Sequence, residues 1–421
     1  VERSRGLGDV YKRQHIFSGS SIVDQENVAG YGAGSILAFY TSASDKNGQI
    51  QCLAFSKDNG RTFTKYEKNP ILRSSDGLKD FRDPKVFRYE PEDKWVMIVS
   101  ADKEMRFYDS KNLKDWNYMS SFGEGYGVQP CQFECPDMVE LSVDGDTNRK
   151  KWALIVNVNP GCYFGGSATQ YFIGDFDGTK FICDNQPNVT KWMDWGKDHY
   201  ATVTWSDAPD NRRIAIAWMS NWQYANDVPT SQYRSPNSVP RDLSLFTVDG
   251  ETYLQSAPSP ELLALRDASK KRSFKVNGTR TIKEMIPGND GAYEIELTIE
   301  NQHADVIGFR LYNDKGEEVD MQYDMKENRF SMDRRKSGDV GFNENFPALT
   351  WTAVESGKNE LKLHLFVDKS SVEAFGDGGR FAMTNQVFPS EPYNHIDFYS
   401  KGGAYNCLLY TSPSPRDLST S

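Results

Sequence analysis

The chain has 421 residues, with 49 Lys+Arg against 59 Asp+Glu, a net charge of −10 and 38% hydrophobic content. No stretch approaches the ~18 consecutive apolar residues of a membrane-spanning helix, and an acidic chain without a Lys/Arg block lacks the clustered positive charge that a nucleic-acid partner requires. Six irregularly spaced cysteines are too few for a disulfide framework at this length, and Cys131 with Cys135 has no second Cys or His pair at zinc-like spacing, so packed thiols and no metal are expected.

The two ends read as foreign. Asp9-Val10-Tyr11-Lys12-Arg13-Gln14 can be encoded by GAT GTG TAT AAG AGA CAG, and the complementary strand in a shifted frame encodes Cys-Leu-Leu-Tyr-Thr-Ser, the sequence of Cys407 to Ser412. Both ends thus fit opposite strands of one short DNA element resembling the transposon end used in sequencing libraries. Residues 1–14 and 407–421 are therefore expected to be translated adapter and are set aside from fold reasoning.

From Ser35 to about Leu254 the chain reads as short strands between turn residues, for example Trp95-Val96-Met97-Ile98-Val99 and Trp152-Ala153-Leu154-Ile155-Val156. A strand, an Asp/Gly/Asn turn and an aromatic recur, ending at Phe63, Trp116 and Phe181. Periods of this size with several strands each predict propeller blades, placed over 15–257. Glu261 to Arg266 carries the best helix signal, with Ser259 as N-cap and Pro260 at the first helical position; a linker helix is expected over 258–271. From 272 to 406 strict alternation, as in Leu361-Lys362-Leu363-His364-Leu365, predicts an antiparallel β-sandwich. The expected fold is all-β.

The phosphate-loop, H-E-x-x-H and G-x-S-x-G patterns are absent. What remains is a set of carboxylates in polar turns. In Phe81-Arg82-Asp83-Pro84, Arg82 is expected to keep Asp83 ionised, although alone this fits an ordinary Asp-Pro turn. In Phe133-Glu134-Cys135-Pro136-Asp137, aromatic and thiol neighbours could desolvate Glu134 and raise its pKa, as a general acid requires; alone, a strand-end salt bridge fits equally. Trp218 to Asp227 interleaves aromatics with amides, as a sugar site would.

In order, Ile16-Phe17-Ser18-Gly19-Ser20, Phe81-Arg82-Asp83-Pro84, Glu134-Cys135-Pro136-Asp137 and Trp218-Met219-Ser220-Asn221-Trp222 resemble glycoside hydrolase family 32, the invertases, levanases and inulinases. The likeness continues through Val239 to Leu245 and Ser371 to Phe375. It implies a five-bladed β-propeller followed by a C-terminal β-sandwich, and retaining hydrolysis of β-fructofuranosyl bonds in fructan or sucrose without a cofactor. By position, Glu134 matches the acid/base and Asp83 the transition-state stabiliser, with Arg82 beside it. Phe17, Ser18, Asn221 and Trp222 would line the fructose pocket. The segment from Trp222 to Thr230 resembles the secreted levanase, inulinase and yeast-invertase branch, which implies a secreted, periplasmic or cell-surface protein.

One departure stands out. The family's nucleophile is the Asp of a Trp-Met-Asn-Asp-Pro-Asn-Gly motif upstream of Phe-Ser-Gly-Ser, and no Asn-Asp-Pro occurs in this chain. Retaining chemistry needs two carboxylates about 5–5.5 Å apart. The expectation is a truncated chain that lacks its first blade and is inactive by itself. Two other readings stay open: a non-catalytic fructan-binding protein, and a sialidase-like propeller suggested by the Asp-box of Ser56 to Phe63.

Overall fold

The computed structural model describes residues 15–266, 269–286 and 289–413. Its first part consists of four blades, each an antiparallel four-stranded meander. The first holds β1 (His15–Asp24), β2 (Ser35–Ser44), β3 (Gly48–Ser56) and β4 (Thr64–Lys65); the second holds β5 (Phe81–Tyr89), β6 (Lys94–Ala101), β7 (Glu104–Ser110) and β8 (Asn117–Phe122). The third holds β9 (Phe133–Val143), β10 (Asp146–Val158), β11 (Ala168–Phe176) and β12 (Phe181–Cys183), with the short β13 (Lys191–Trp192) also on β11. The fourth holds β14 (Tyr200–Thr204), β15 (Ile214–Trp218), β16 (Arg241–Val248) and β17 (Glu251–Pro258). The echo seen in the sequence marks one place in successive blades: Phe63, Trp116 and Phe181 lie at the start of β4, β8 and β12, after the outermost turn. Asp144-Gly145 and Asp249-Gly250 close two-residue hairpins with all four residues at positive φ, the conformation that Asp-Gly favours.

Blades stack face to face, and the two-residue period of a strand shows how. On β6, Met97 and Val99 pack toward Leu37 and Phe39 of the first blade. Val96 and Ile98 pack toward Leu154, Val156 and Phe172 of the third. Val139 and Ile155 continue the pattern against Leu243 and Leu245 of the fourth.

The predicted linker helix is a six-residue 3-10 helix, Pro260–Leu265. Ser259 does not cap it: its hydroxyl donates to Asp242 Oδ1 at 2.6 Å, so the backbone there lacks the side-chain cap that would help start an α-helix.

The second part is a ten-stranded antiparallel assembly of β18 (Lys270–Ile282), β19 (Tyr293–Gln302), β20 (Val306–Tyr312), β21 (Glu318–Asp324), β22 (Arg329–Lys336), β23 (Leu349–Ala353), β24 (Glu360–Asp368), β25 (Ser371–Gly376), β26 (Phe381–Gln386) and β27 (His395–Pro413). Alternate residues, such as Ile295, Leu297 and Ile299 facing Leu361, Leu363 and Leu365, fill its core. β27 pairs with both β18 and β19 and runs past Asn406, with Cys407 and Leu409 buried. The residues expected to be foreign at 1–14 and 414–421 lie outside the described residues.

The two parts are tied closely. Trp195 N donates to Ala382 O at 2.9 Å and Asp198 N to Thr384 O at 3.1 Å. A Cβ on Gly196 would stand 1.9 Å from Thr384 O, so only glycine fits there. Arg241, fully buried, donates to Asp194 at 2.9 Å and to Glu373 of β25 at 2.8 Å. Arg334 of β22 reaches Asp198 and donates to the Tyr224 hydroxyl at 2.8 Å.

Candidate active site

β1, β5, β9 and β14 each open a blade, and consecutive members of this set lie against one another. All four are interrupted at one place. The register with the second strand slips between Ile16 and Gly19, Arg82 and Lys85, Glu134 and Asp137, and Tyr200 and Val203. Each slip sets two residues outside the ladder, the bulge that re-aims neighbouring side chains at functional sites. In the last three blades the first bulged residue has positive φ: Asp83 (63°), Cys135 (43°) and Ala201 (54°). Non-glycine residues are rarely held there, at a cost of about 1–3 kcal/mol each. Arg82, Glu134 and Tyr200 therefore occupy equivalent positions, each just before a bulge.

These three side chains meet. Arg82 Nη2 donates to Glu134 Oε1 at 2.8 Å, Arg82 Nη1 donates to Asp80, and the Tyr200 hydroxyl donates to Glu134 Oε2. Asp83 Oδ2 accepts from Cys135 N at 2.9 Å, and Asp83 N donates to Thr41 Oγ1 at 2.9 Å. The Glu134 side chain keeps 17% exposure and Asp83 7%. Burial raises the Glu134 carboxyl above the usual glutamate range; Arg82 pulls it down and Asp83 pushes it up further.

The expectation for Asp83 needs correction. Its pKa is raised, not lowered, because burial outweighs the hydrogen bond from Cys135 and the Arg82 charge. Arg82 is spent elsewhere: its Nε lies 3.9 Å from Asp83 while its terminal nitrogens serve Asp80 and Glu134.

The remaining predicted residues divide. Phe17 and Ser18 are the bulged pair of β1, Phe17 half-buried and Ser18 exposed. Ser20 anchors them beside Asp83, donating to Pro84 O and accepting from Val86 N, both at 2.9 Å. Trp222 is 40% exposed, and its ring lies 4.9 Å from Trp218, which in turn lies 6.0 Å from Tyr200. Aromatic contacts thus run from the Tyr200 that touches Glu134 to the open Trp222. Asn221 is different: it is fully buried, and its amide donates to Gly165 O (3.1 Å) and Lys197 O (2.9 Å) and accepts from Gln223 N (3.0 Å). It braces the loop that presents Trp222 and does not line a pocket.

Asp137 has a supporting part. Fully buried, it accepts from Lys85 Nζ at 2.9 Å and Thr204 N at 2.7 Å, joining β9 to β5 and β14 just behind the bulges. Sequence reasoning missed Tyr200, because nothing in Asp198-His199-Tyr200-Ala201 distinguishes a bulged strand start from an ordinary one.

Cys131 and Cys135 carry free thiols on the two sides of Glu134. Among the described residues, Glu294, Glu296 and His364 bring three possible ligand atoms within 4.8 Å. That charge is already met by the Arg266 guanidinium, which donates to Glu294 at 2.6 and 2.7 Å and also reaches Glu296.

The bulged propeller centre thus brings together a buried acid, a cation and a bordering tryptophan. Residues 8–258 match the Glycosyl hydrolases family 32 N-terminal domain and residues 261–412 the Glycosyl hydrolases family 32 C terminal. The chain belongs to this family. It is 42% identical to a levanase of Bacillus subtilis (strain 168) over 399 residues, covering 92% of this chain and 58% of that one. An extracellular exo-inulinase of Aspergillus awamori is 32% identical, covering 95% and 80%. The chain thus spans little more than half the length of the levanase. The crystal structure of exo-inulinase from Aspergillus awamori superposes with a TM-score of 0.87 at 31% identity, covering 96% of this chain and 84% of that one. The β-fructofuranosidase from Schwanniomyces occidentalis complexed with fructosyl-erythritol gives 0.84 at 30%, covering 95% and 83%. The fold is the five-bladed propeller and β-sandwich of this family, with four blades among the described residues.

Proposed function

We propose that this chain carries the fructosyl-binding and proton-donating part of a retaining β-fructofuranosidase that acts on fructans or sucrose outside the cell. The observation that carries the reading is Glu134: a largely buried carboxyl with a raised pKa, held at the centre of the blades by Arg82 and Tyr200. A carboxyl whose pKa is raised by burial gives up its proton less readily to water, and can donate it to the glycosidic oxygen as the bond to the anomeric carbon breaks and afterwards take a proton from water. Asp83 is assigned to the ring hydroxyls; Arg82 fixes Glu134, and the Cys135 backbone N–H fixes Asp83. Phe17, Ser18 and Trp222 border the sugar, and Asn221 acts through Trp222.

Double displacement also needs a nucleophile about 5–5.5 Å from the acid. Among the described residues the acids paired with Arg82 are Asp80, Asp83 and Glu134, and the sequence has no Asn-Asp-Pro. The 421-residue chain by itself is therefore assigned binding without turnover. The test pairs two assays on the purified chain: fructose or sucrose binding followed by tryptophan fluorescence, and fructose release from levan, inulin and sucrose. Saturable binding lost in Trp222→Ala, with no release, supports the reading. Release of fructose overturns the inactivity, and the absence of any sugar binding overturns the assignment. The levanase name of one relative and the word "extracellular" in another support the substrate class and location proposed here.

A further inference from the structure

The connection between β10 and β11 carries a feature that cleavage at Glu134 does not require. This segment, residues 159–167, is fastened to both sides of the candidate site. The Cys131 thiol, three residues before Glu134, donates to Asn159 O at 2.7 Å. On the other side Asn221 Nδ2 donates to Gly165 O at 3.1 Å, and Trp222 N donates to Ser167 Oγ at 3.2 Å. A Cβ on Gly166 would lie 1.9 Å from Asn221 Oδ1, so the two loops are in direct contact.

The tip of this segment presents Tyr163, 59% exposed, and the half-buried Phe164. Across the boundary between propeller and sandwich they meet Trp351 of the edge strand β23. The Tyr163 and Trp351 rings lie 5.3 Å apart at 87°, and Phe164 lies 6.3 Å from Trp351 at 77°. The Arg329 guanidinium sits 5.8 Å from the Trp351 ring, and Leu349, 41% exposed, is two residues along the same strand face. Edge-to-face packing fixes the rings relative to one another. A cluster of large side chains with Tyr163 and Leu349 exposed, Phe164 and Trp351 half-buried, and a cation and a phenol hydroxyl at its edge, marks a binding surface. Its chemistry suits a sugar ring, whose C–H face stacks on an aromatic while its hydroxyls take hydrogen bonds. Its continuity with the Trp222 loop places it on the outer side of the candidate site.

We propose that Tyr163, Phe164 and Trp351 form an outlying stacking subsite for a polymeric fructan, engaging fructosyl units beyond those held at Glu134. This rests on the reading of the Glu134 site as the place that takes a fructosyl unit. It gives the β-sandwich a direct part in binding, through Trp351, and predicts that the chain distinguishes polymer from short sugar.

The experiment uses the full chain with high-molecular-mass levan in native affinity gels and with sucrose in calorimetry. Tyr163→Ser and Trp351→Ala are each expected to weaken levan retention roughly three- to tenfold, as loss of one ring contact does, while sucrose affinity stays unchanged. Tyr163→Phe, which keeps the ring on an exposed loop, is expected to restore most of the retention. Levan binding that is unaffected by both variants overturns the subsite; the Glu134 reading survives this if Trp222→Ala still removes sucrose binding. Equal weakening toward levan and sucrose also overturns it, by showing a general loosening of the rim. If the unaltered chain binds neither sugar, both readings fall.

Discussion

Arg82 Nη2 and Glu134 Oε1 lie 2.8 Å apart, yet the Glu134 carboxyl titrates above the ordinary glutamate range. Burial of the acid outweighs the ion pair, whose cation is shared with Asp80 and lies near Asp83. The guanidinium thus limits how far the pKa climbs. Replacing it by an uncharged group of similar length should raise the Glu134 carboxyl further, because the opposite charge that favours the ionised form is gone. Infrared titration of the protonated-carboxyl band checks this in Arg82→Met, with Glu134→Gln identifying the band. A midpoint that does not move would show that Arg82 acts only as a tether.

Much of this arrangement could be read in the sequence. The Arg82-Asp83-Pro84 and Glu134-Cys135-Pro136-Asp137 turns stood out because charged residues beside proline interrupt otherwise apolar strands, and the structure places them at matching bulges. Three features depend on packing and could not be read. The sign of the Asp83 shift depends on which carboxylates Arg82 reaches across the blades. The role of Asn221 depends on backbone groups supplied by residues 165 and 197. Tyr200 reaches Glu134 only because β14 is bulged in the same register as β9.

Asp137 is the most exacting of the buried acids near the site, because Lys85 and Thr204 reach it from two other blades. Removing it leaves the buried Lys85 ammonium without a counter-charge, with only Thr204 O (3.4 Å) and Oγ1 (3.3 Å) as acceptors, and takes the carboxylate acceptor from Thr204 N. Asp137→Ala should therefore cost about 3–5 kcal/mol of stability, the range for breaking a buried pair from one side. Urea denaturation of Asp137→Ala beside Asp137→Ala/Lys85→Met separates the charge from the packing. The double variant should recover part of the loss; if it is no more stable than the single one, the ion pair is not the cause.

Asn221 sits between the Gly165 loop and the Trp222 loop and has no open face. Asn221→Ala would leave the buried carbonyl of residue 197 unpaired, at about 1–3 kcal/mol, and the half-buried carbonyl of residue 165 at less. The expected signature is a lowered denaturation midpoint together with greater acrylamide quenching of tryptophan fluorescence, as Trp222 loses its brace. Asn221→Asp keeps the acceptor for Gln223 N but sets a buried carboxyl against the same two carbonyl oxygens, so it should lower the midpoint at least as far as Asn221→Ala. Unchanged quenching in Asn221→Ala would mean that Ser167 alone positions Trp222.

His199 gives the fold a dependence on pH that does not involve the site acids. It is buried beside Arg241 and Asp194, with Thr202 Oγ1 3.4 Å from Nδ1. Burial, followed by the Arg241 charge, pushes its pKa down to about 3 from an ordinary 6.5. Between these values the unfolded chain binds a proton that the folded chain refuses, so stability falls on acidification by up to about 1.4 kcal/mol per pH unit. Asp83 and Glu134 act in the opposite sense. Their raised pKa values make the folded state the better proton acceptor, a contribution present below the ordinary carboxyl range and lost as pH rises through the folded values. Because those acids are present in both proteins, comparing the chain with His199→Gln cancels them. Urea midpoints at about pH 7 and about pH 5 should fall less in His199→Gln, by a difference of about 2 kcal/mol in unfolding free energy. Parallel pH profiles would mean that His199 takes its proton inside the fold, with Asp194 as partner.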